Sequence, residues 1–217
     1  MSDVAFATKS RFRENTRPVG PETVSKGEAF IYGPGSLSPI GYKKIMPEIE
    51  YIDDMMETEE LLASLSAPVR NWFEDTFPDF TEPQKMAIPR IIKGEHLLLC
   101  SPTGSGKTLT AFLSIIDDLV RKSLDGTLPD TVQCIYISPI KALANDIQKN
   151  LIGPLTEIKE RFLPSRAKDI KVSLRTGDTP QNERQKMLRK PPHILITTPE
   201  SLGLALASKR FRPILED

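Results

Sequence analysis

Between Leu97 and Phe112 the chain reads LLLCSPTGSGKTLTAF. An apolar run leads into Pro, Thr, Gly, Ser, Gly, Lys and Thr, and an apolar helical pattern follows. Gly104 and Gly106 permit a turn whose backbone N–H groups face inward at the positive end of the next helix, an arrangement that holds phosphate oxygens. Lys107 then reaches the β- and γ-phosphates, and the Thr108 hydroxyl takes a Mg²⁺ ion. The fit to GxxxxGK[ST] is not literal, because Ser101 stands where the first glycine is usual. A solvated Gly-Ser turn is the competing reading. The strand-like run before the loop and the amphipathic helix after it, with Lys-Thr in register, weigh against that alternative.

Around this loop, strand and helix patterns alternate. Thr81 caps a helix that carries Pro83 in its first turn and stops at Gly94, with Pro89 expected to kink or weaken its middle. HLLLC (96–100) predicts a short buried strand. From Lys107 to Lys122, Leu109, Phe112, Leu113, Ile116, Leu119 and Val120 share one helical face. TVQCIYIS (131–138) predicts a second strand. Ile140, Leu143, Ile147, Leu151, Leu155, Ile158 and Phe162 then mark a long helix, broken or bent at Gly153-Pro154. IKVSL (170–174) and HILIT (193–197) read as strands, and Gln181–Leu188 and Pro199–Ala207 as helices. Strand runs without polar alternation, separated by helices, predict an α/β fold with a mostly parallel sheet covered on both faces.

Residues 1–47 hold the clusters RPVGPE and YGPGSLSPIG without sustained apolar periodicity, and read as an extended or poorly ordered arm. Residues 48–80 read as an acidic linker and leading helices. Glu48 to Glu60 carries seven acids and no Lys or Arg, and the helical pattern from Leu61 to Phe77 is interrupted by Pro68, which suits the first turn of a second helix. Trp72 is expected to anchor the core there. Residues 81–217 read as the main domain. No apolar stretch approaches the roughly 18 residues of a membrane span, and the N-terminus lacks a signal-peptide core, so a cytoplasmic protein with no membrane partner is expected. Cys100 and Cys134 each sit in an apolar run and read as buried free thiols. Lys plus Arg equals Asp plus Glu, 29 each, so the overall field does not favour nucleic acid. Arg166 to Lys190 carries eight bases against three acids, a block that is more often a solvated face than a binding site.

Gln84 lies twenty-three residues before Lys107, in FPDFTEPQ. A glutamine amide can pair with both N6 and N7 of adenine, and Phe77 or Phe80 could stack on the ring. FTEPQ, SPTGSGKT, SPIKALANDI, RTGDTPQNERQ and TTPESL stand in the order, and at about the spacing, of the first motor domain of superfamily 2 helicases. The chain most closely resembles the large helicase-related (Lhr) family of DNA helicases and translocases, over roughly Leu61 to Asp217. The resemblance implies a RecA-like P-loop three-layer sandwich with ATP and Mg²⁺ as cofactors. Gln84 then reads adenine, and Thr103, Gly104, Ser105, Gly106, Lys107 and Thr108 hold the phosphates and Mg²⁺, with Lys107 and Thr108 the catalytic members. Pro139, Lys141 and Ala142, then Thr176, Gly177 and Asp178, then Thr198, Pro199 and Glu200 look like segments that grip one nucleic-acid strand. Each follows a predicted strand, so all should gather at the carboxyl edge of the sheet, where open α/β sheets bind ligands. Lys141, Arg175 and Arg184 could add charge. Plain helix starts are the competing reading of SPIKAL and TTPES. The partner implied is single-stranded or partly duplex nucleic acid; DNA comes from the resemblance, since backbone contacts do not test a 2′-hydroxyl.

An ATPase of this type also needs an Asp-Glu pair in a DExH box, and no Asp-Glu dipeptide occurs in this sequence. Asp117-Asp118 falls on the helix after the phosphate loop, where a solvated or capping role is expected. The sequence ends at KRFRPILED, where the family begins the strand bearing that box, and a second motor domain is not in it. The expectation is therefore a first RecA-like domain, incomplete at its C-terminal end, that binds ATP and a strand with negligible turnover alone. A non-catalytic nucleotide- and nucleic-acid-binding module is the alternative. A small phosphotransferase or GTPase fares worse, because an Asn-Lys-x-Asp guanine signature and an arginine-bearing lid are missing. His96 and His193 each begin a strand run and read as structural.

Overall fold

Short runs rich in β-branched residues make the sheet of this protein, whose computed structural model describes residues 6–8, 53–102, 104–139 and 147–215. Cys134–Ile137 (β2), Val172–Arg175 (β3) and Ile194–Thr197 (β4) are parallel, with β4 between the other two. Phe6–Thr8 (β1) pairs antiparallel with the other side of β2, giving the order β1-β2-β4-β3. Helices join the parallel strands, as parallel pairing requires.

The period-two alternation of side chains divides two cores between the sheet faces. Cys134, Tyr136, Ile194 and Ile196 pack on one side with Thr58–Ser64 (α1), Ala67–Thr76 (α2), Lys107–Leu124 (α4) and Gly153–Phe162 (α5). Leu195, with Ile135 partly buried beside it, packs on the other against Met187 of Gln181–Arg189 (α6), Ala205 of Pro199–Ala207 (α7), Phe211 and Leu215. Helices on both faces give three layers and an α/β fold, as the sequence pattern predicts. The predicted face of α4 is buried, and each large apolar side chain there contributes roughly 1.5–3 kcal/mol. Trp72 is the expected anchor: it is buried, and its indole N–H donates to Glu157 Oε2 of α5 at 2.7 Å.

Two readings need correction. Residues 96–100 form no strand; among the described residues no ladder reaches them, and Leu98 is 79% exposed. Apolar content gives a strand only where a neighbour offers its backbone, and here β2 is paired by β1 and β4. Cys100, in that unpaired segment, is consequently exposed, whereas Cys134 is buried and its thiol is pushed up to about 12 by desolvation. Glu82–Ile92 (α3) contains Pro89 and ends at a C-cap at Lys93, just before Gly94 at φ +75°, where the sequence places its stop. The break at Gly153-Pro154 is present as a change of winding, since a π-helical turn, Gln148–Ile152, passes directly into α5 with Pro in its first turn. Ile140 and Leu143 of the predicted long helix lie outside the described residues, as does most of the N-terminal arm.

Asp117 is a structural carboxylate. Buried on α4, it accepts the N–H of Ser66, the N-cap of α2, at 2.6 Å and pairs with Arg121 Nε at 2.8 Å. Arg121 in turn donates to Ser64 O at 2.6 Å, so the α1–α2 corner hangs on this pair. Asp118 only meets Lys122 on the surface. His193, fully buried at the start of β4, accepts the Lys171 N–H through Nδ1 at 2.9 Å. Its neutral form therefore carries the proton on Nε2, which has no hydrogen-bond partner among the described residues and lies 4.0 Å from Asp130 Oδ1.

Asp117→Ala is expected to cost about 1.5–3 kcal/mol, the range for a hydrogen bond to a charged group, in urea unfolding, with Asp117→Asn closer to wild type. Burial, followed by the charges of Lys171 and Lys168, holds the His193 pKa below its ordinary 6.5, against the opposing pull of Asp130 and Asp169. The unfolded chain then takes up the proton first. Stability should be full above about pH 6.5 and fall as the pH drops from there towards the depressed folded value. Thermal unfolding across that window should show a shallower fall for His193→Asn, which keeps an acceptor near Nδ1.

Candidate nucleotide and nucleic-acid site

The phosphate loop is built from two left-handed glycines. Gly104 and Gly106 both have φ +84°, a region open to glycine at little cost, and Gly106 is the N-cap of the eighteen-residue α4. Gly106 O accepts the Thr110 N–H at 2.9 Å, closing the first turn. Lys107 folds its ammonium over the loop, donating to the carbonyls of Ser101 and, at 2.8 Å, Pro102. Thr108 is half-buried in the first turn, and Ser105 shares a hydroxyl contact with Ser101. Thr103 lies outside the described residues.

The start of α3 braces this loop. Thr81 and Gln84 make a reciprocal capping box, in which Gln84 Oε1 accepts the Thr81 N–H at 2.9 Å. The Thr81 hydroxyl donates to Ser105 O at 2.9 Å. Gln84 is only 3% exposed, and a Cβ added to Gly106 would stand 2.7 Å from its Nε2. Gly106 is thus required twice, by its φ and by the amide pressed against it. Sequence reading singled out Thr81 only as a cap and missed its bond to the loop; the Thr-x-x-Gln spacing is the signal that pointed to the capping box. Phe80 is 5% exposed and stacks on Phe73 at 3.9 Å and 13°, so it has no face to offer a base; the expectation for it is corrected to a core role. Phe77 packs edge-on to Trp72 at 5.8 Å and stays partly exposed.

The carboxyl ends of the three parallel strands line up in register, with Ile137, Thr197 and Arg175 side by side. Ser138 N–H donates to Thr197 O at 3.1 Å, and the Thr197 hydroxyl to Arg175 O at 2.8 Å. Pro139, Thr176–Asp178 and Thr198–Glu200 therefore leave from one edge. Pro139, Gly177, Asp178, Pro199 and Glu200 are exposed there, and Thr176 is half-buried. Thr198 is buried and spends its hydroxyl capping α7, accepting from Ser201 N at 3.3 Å. Lys141 and Ala142 lie outside the described residues. Arg175 is 7% exposed, with its guanidinium 3.9 Å above the Phe211 ring. Its Nη1 has no partner among the described residues, and burial, then the nearby Arg184, lowers its pKa. It reaches away from the edge that it was expected to charge, because its position on β3 faces the layer of α6 and α7. Among the described residues no cluster of three His, Cys, Asp or Glu side chains could hold a metal.

A model of the DEAD/DEAH box helicases matches residues 81–215, from the cap of α3 to the last described turn. The chain belongs to the DEAD/DEAH box helicase family. Within that family it is similar to Lhr helicases. It is 53% identical over 159 residues to the ATP-dependent helicase Lhr-Core of Methanothermobacter thermautotrophicus, 73% of this chain and 18% of that protein. To the Lhr-Core helicase of Methanocaldococcus jannaschii it is 45% identical over 172 residues, 78% of this chain and 20% of that one. Among solved structures, Mycobacterium smegmatis helicase Lhr bound to ssDNA and AMP-PNP matches at 45% identity with a TM-score of 0.61, over 71% of this chain and 19% of that chain. The present chain thus spans about a fifth of the length of these relatives. The RecA-like fold read from the motifs is the fold of these helicase neighbours. No described helix is long and apolar enough to cross a membrane.

Two glycines of equal φ separate strain from contact. Gly104→Ala meets nothing within 4 Å, so it should lose only the roughly 1–2 kcal/mol of a left-handed alanine. Gly106→Ala should lose about 1–3 kcal/mol more through the clash with Gln84. Equal losses in chemical denaturation would show that Gln84 does not press on the loop.

Proposed function

We infer that this chain binds ATP with Mg²⁺ and grips a single nucleic-acid strand, as the first motor domain of an Lhr-type DNA helicase or translocase. The observation that carries this reading is the brace between α3 and the phosphate loop. Thr81 and Gln84 of one helix hold Ser105 and Gly106 of the other, so a base seated beside Gln84 and phosphates seated on the loop belong to one ligand. The left-handed glycines and the start of α4 suit phosphate oxygens. Lys107 would exchange the neutral Ser101 and Pro102 carbonyls for those oxygens, so that its charge meets an opposite charge. Gln84 is proposed to read adenine, with Phe77, the partly exposed aromatic, alongside it; its amide, 3% exposed and with Oε1 on the Thr81 N–H, would have to leave the capping box to reach the base. Thr108, half-buried in the first turn of α4, would hold Mg²⁺ through its hydroxyl, and the bound ion would supply positive charge beside the terminal phosphates. Pro139, Lys141, Ala142, Thr176–Asp178 and Thr198–Glu200 are proposed to track the backbone of the strand, with ssDNA the substrate favoured by the Lhr relatives.

One observation favours a second reading, binding without turnover. Asp117, of the acidic pair on α4, is committed to Ser66 and Arg121, and the sequence holds no Asp-Glu pair to polarise an attacking water. Equilibrium binding of a fluorescent ATP analogue with Mg²⁺, with hydrolysis read in the same samples with and without ssDNA, decides between the two. Lys107→Ala should weaken binding at least tenfold, about 1.4 kcal/mol, without changing the circular dichroism spectrum. Gln84→Ala should reduce the preference for ATP over GTP. Equal binding of the two nucleotides by the unmodified chain would remove Gln84 from the adenine site, and ssDNA-stimulated turnover would remove the binding-only reading.

A further inference from the structure

The turn after β3 is tied down from two sides. Within it, the Thr179 hydroxyl, buried, accepts the Thr176 N–H at 2.8 Å, and the Thr179 N–H donates to Thr176 O at 3.3 Å. From α6, Arg184 reaches back with Nη2 2.7 Å from Gly177 O and 3.3 Å from Thr176 O, and with Nε 2.8 Å from Thr179 O. Three carbonyls of one turn thus converge on a single guanidinium.

Peptide planarity fixes what this does to the other side of the turn. In a trans peptide the C=O of one residue and the N–H of the next point in opposite directions. Binding the carbonyls of Thr176 and Gly177 to Arg184 therefore turns the N–H groups of Gly177 and Asp178 away from it. Both residues are exposed, and among the described residues neither amide donates to a protein group. The third carbonyl, of Thr179, precedes Pro180, which has no N–H to present. The positive charge lies behind the two peptide dipoles and orders their positive ends outward, an arrangement that suits a phosphate oxygen. Gly177 is not in the left-handed region, and a Cβ there would meet nothing within 4 Å, so the turn is open to solvent on that side.

We propose that Arg184 is a positioning residue of the strand track: it acts through the carbonyls of Thr176, Gly177 and Thr179 to present the Gly177 and Asp178 amides to a backbone phosphate, and does not touch the strand itself. This rests on the reading that the turn contacts nucleic acid. It separates Arg184 from a surface cation that merely adds charge, because a lysine keeps the charge but lacks the planar fork that spans three carbonyls.

The test is fluorescence anisotropy of a labelled oligo(dT) with the 217-residue chain over a range of salt, for wild type, Arg184→Lys and Arg184→Ala. Binding of the ATP analogue serves as the fold control, and ¹⁵N shifts of the Gly177 and Asp178 amides are followed during the titration. Expected are oligo-induced shifts of both amides in wild type, and a loss of about tenfold in strand affinity in both variants with ATP binding kept. The salt slope should stay at the wild-type value. Wild-type affinity in Arg184→Lys, or a slope lowered by about 0.7 in Arg184→Ala, the contribution of one phosphate contact on a single strand, would overturn the proposal and leave the strand track standing. A wild-type chain that binds ATP but no oligo(dT) would overturn the strand reading and this inference with it.

Discussion

The contact between the N-terminus of α3 and the phosphate loop is what the rest of the site depends on. Left-handed glycines make a loop that is easily deformed, because glycine has many other conformations available. Thr81 and Gln84 restrict it from outside: one hydroxyl holds Ser105 O, and one buried amide fills the space where any side chain at position 106 would go. The capping box fixes the same two residues relative to each other. Helix end and phosphate loop therefore form one rigid unit, and a ligand that orders one orders the other.

The sheet contributes alignment. Parallel strands in register end together, so three turns far apart in sequence open on one edge. Those turns are not equivalent. The one after β4 consumes its threonine hydroxyl in capping α7, whereas the one after β3 has its carbonyls gathered by Arg184 and its Gly177 and Asp178 amides without a partner among the described residues. Cations near this edge are also divided by geometry. Arg175 is stacked on Phe211 within a layer, and Arg184 is half-buried against backbone oxygens. On the proposed reading, strand binding at this turn would rest on peptide dipoles more than on exposed positive side chains, which suits a sequence whose net charge is zero.

Much of this was legible from residue order. The α7 boundaries, the capped start of α3 and the change of winding at Gly153-Pro154 follow from Pro and Thr at fixed places, because those residues act on their own backbone. The glycine turn ahead of α4 was legible because its spacing is itself the signal. HLLLC was not, since an apolar run does not say whether a strand will lie beside it. Nor was Phe80, whose exposure depends on where Phe73 falls after α2 packs.

The sequence by itself determined the strand and helix alternation, the glycine loop with Lys107 and Thr108, and the family to which the chain belongs. These are properties of residue type and spacing along one backbone. The tertiary structure alone decided which partners the polar groups found. It tied Asp117 to the α2 cap, turned Arg175 inward, set Thr81 on Ser105 and brought Arg184 to three carbonyls. The reason is physical: a hydrogen bond between residues distant in sequence depends on positions within about 3 Å, and only the packing of whole elements sets distances that finely.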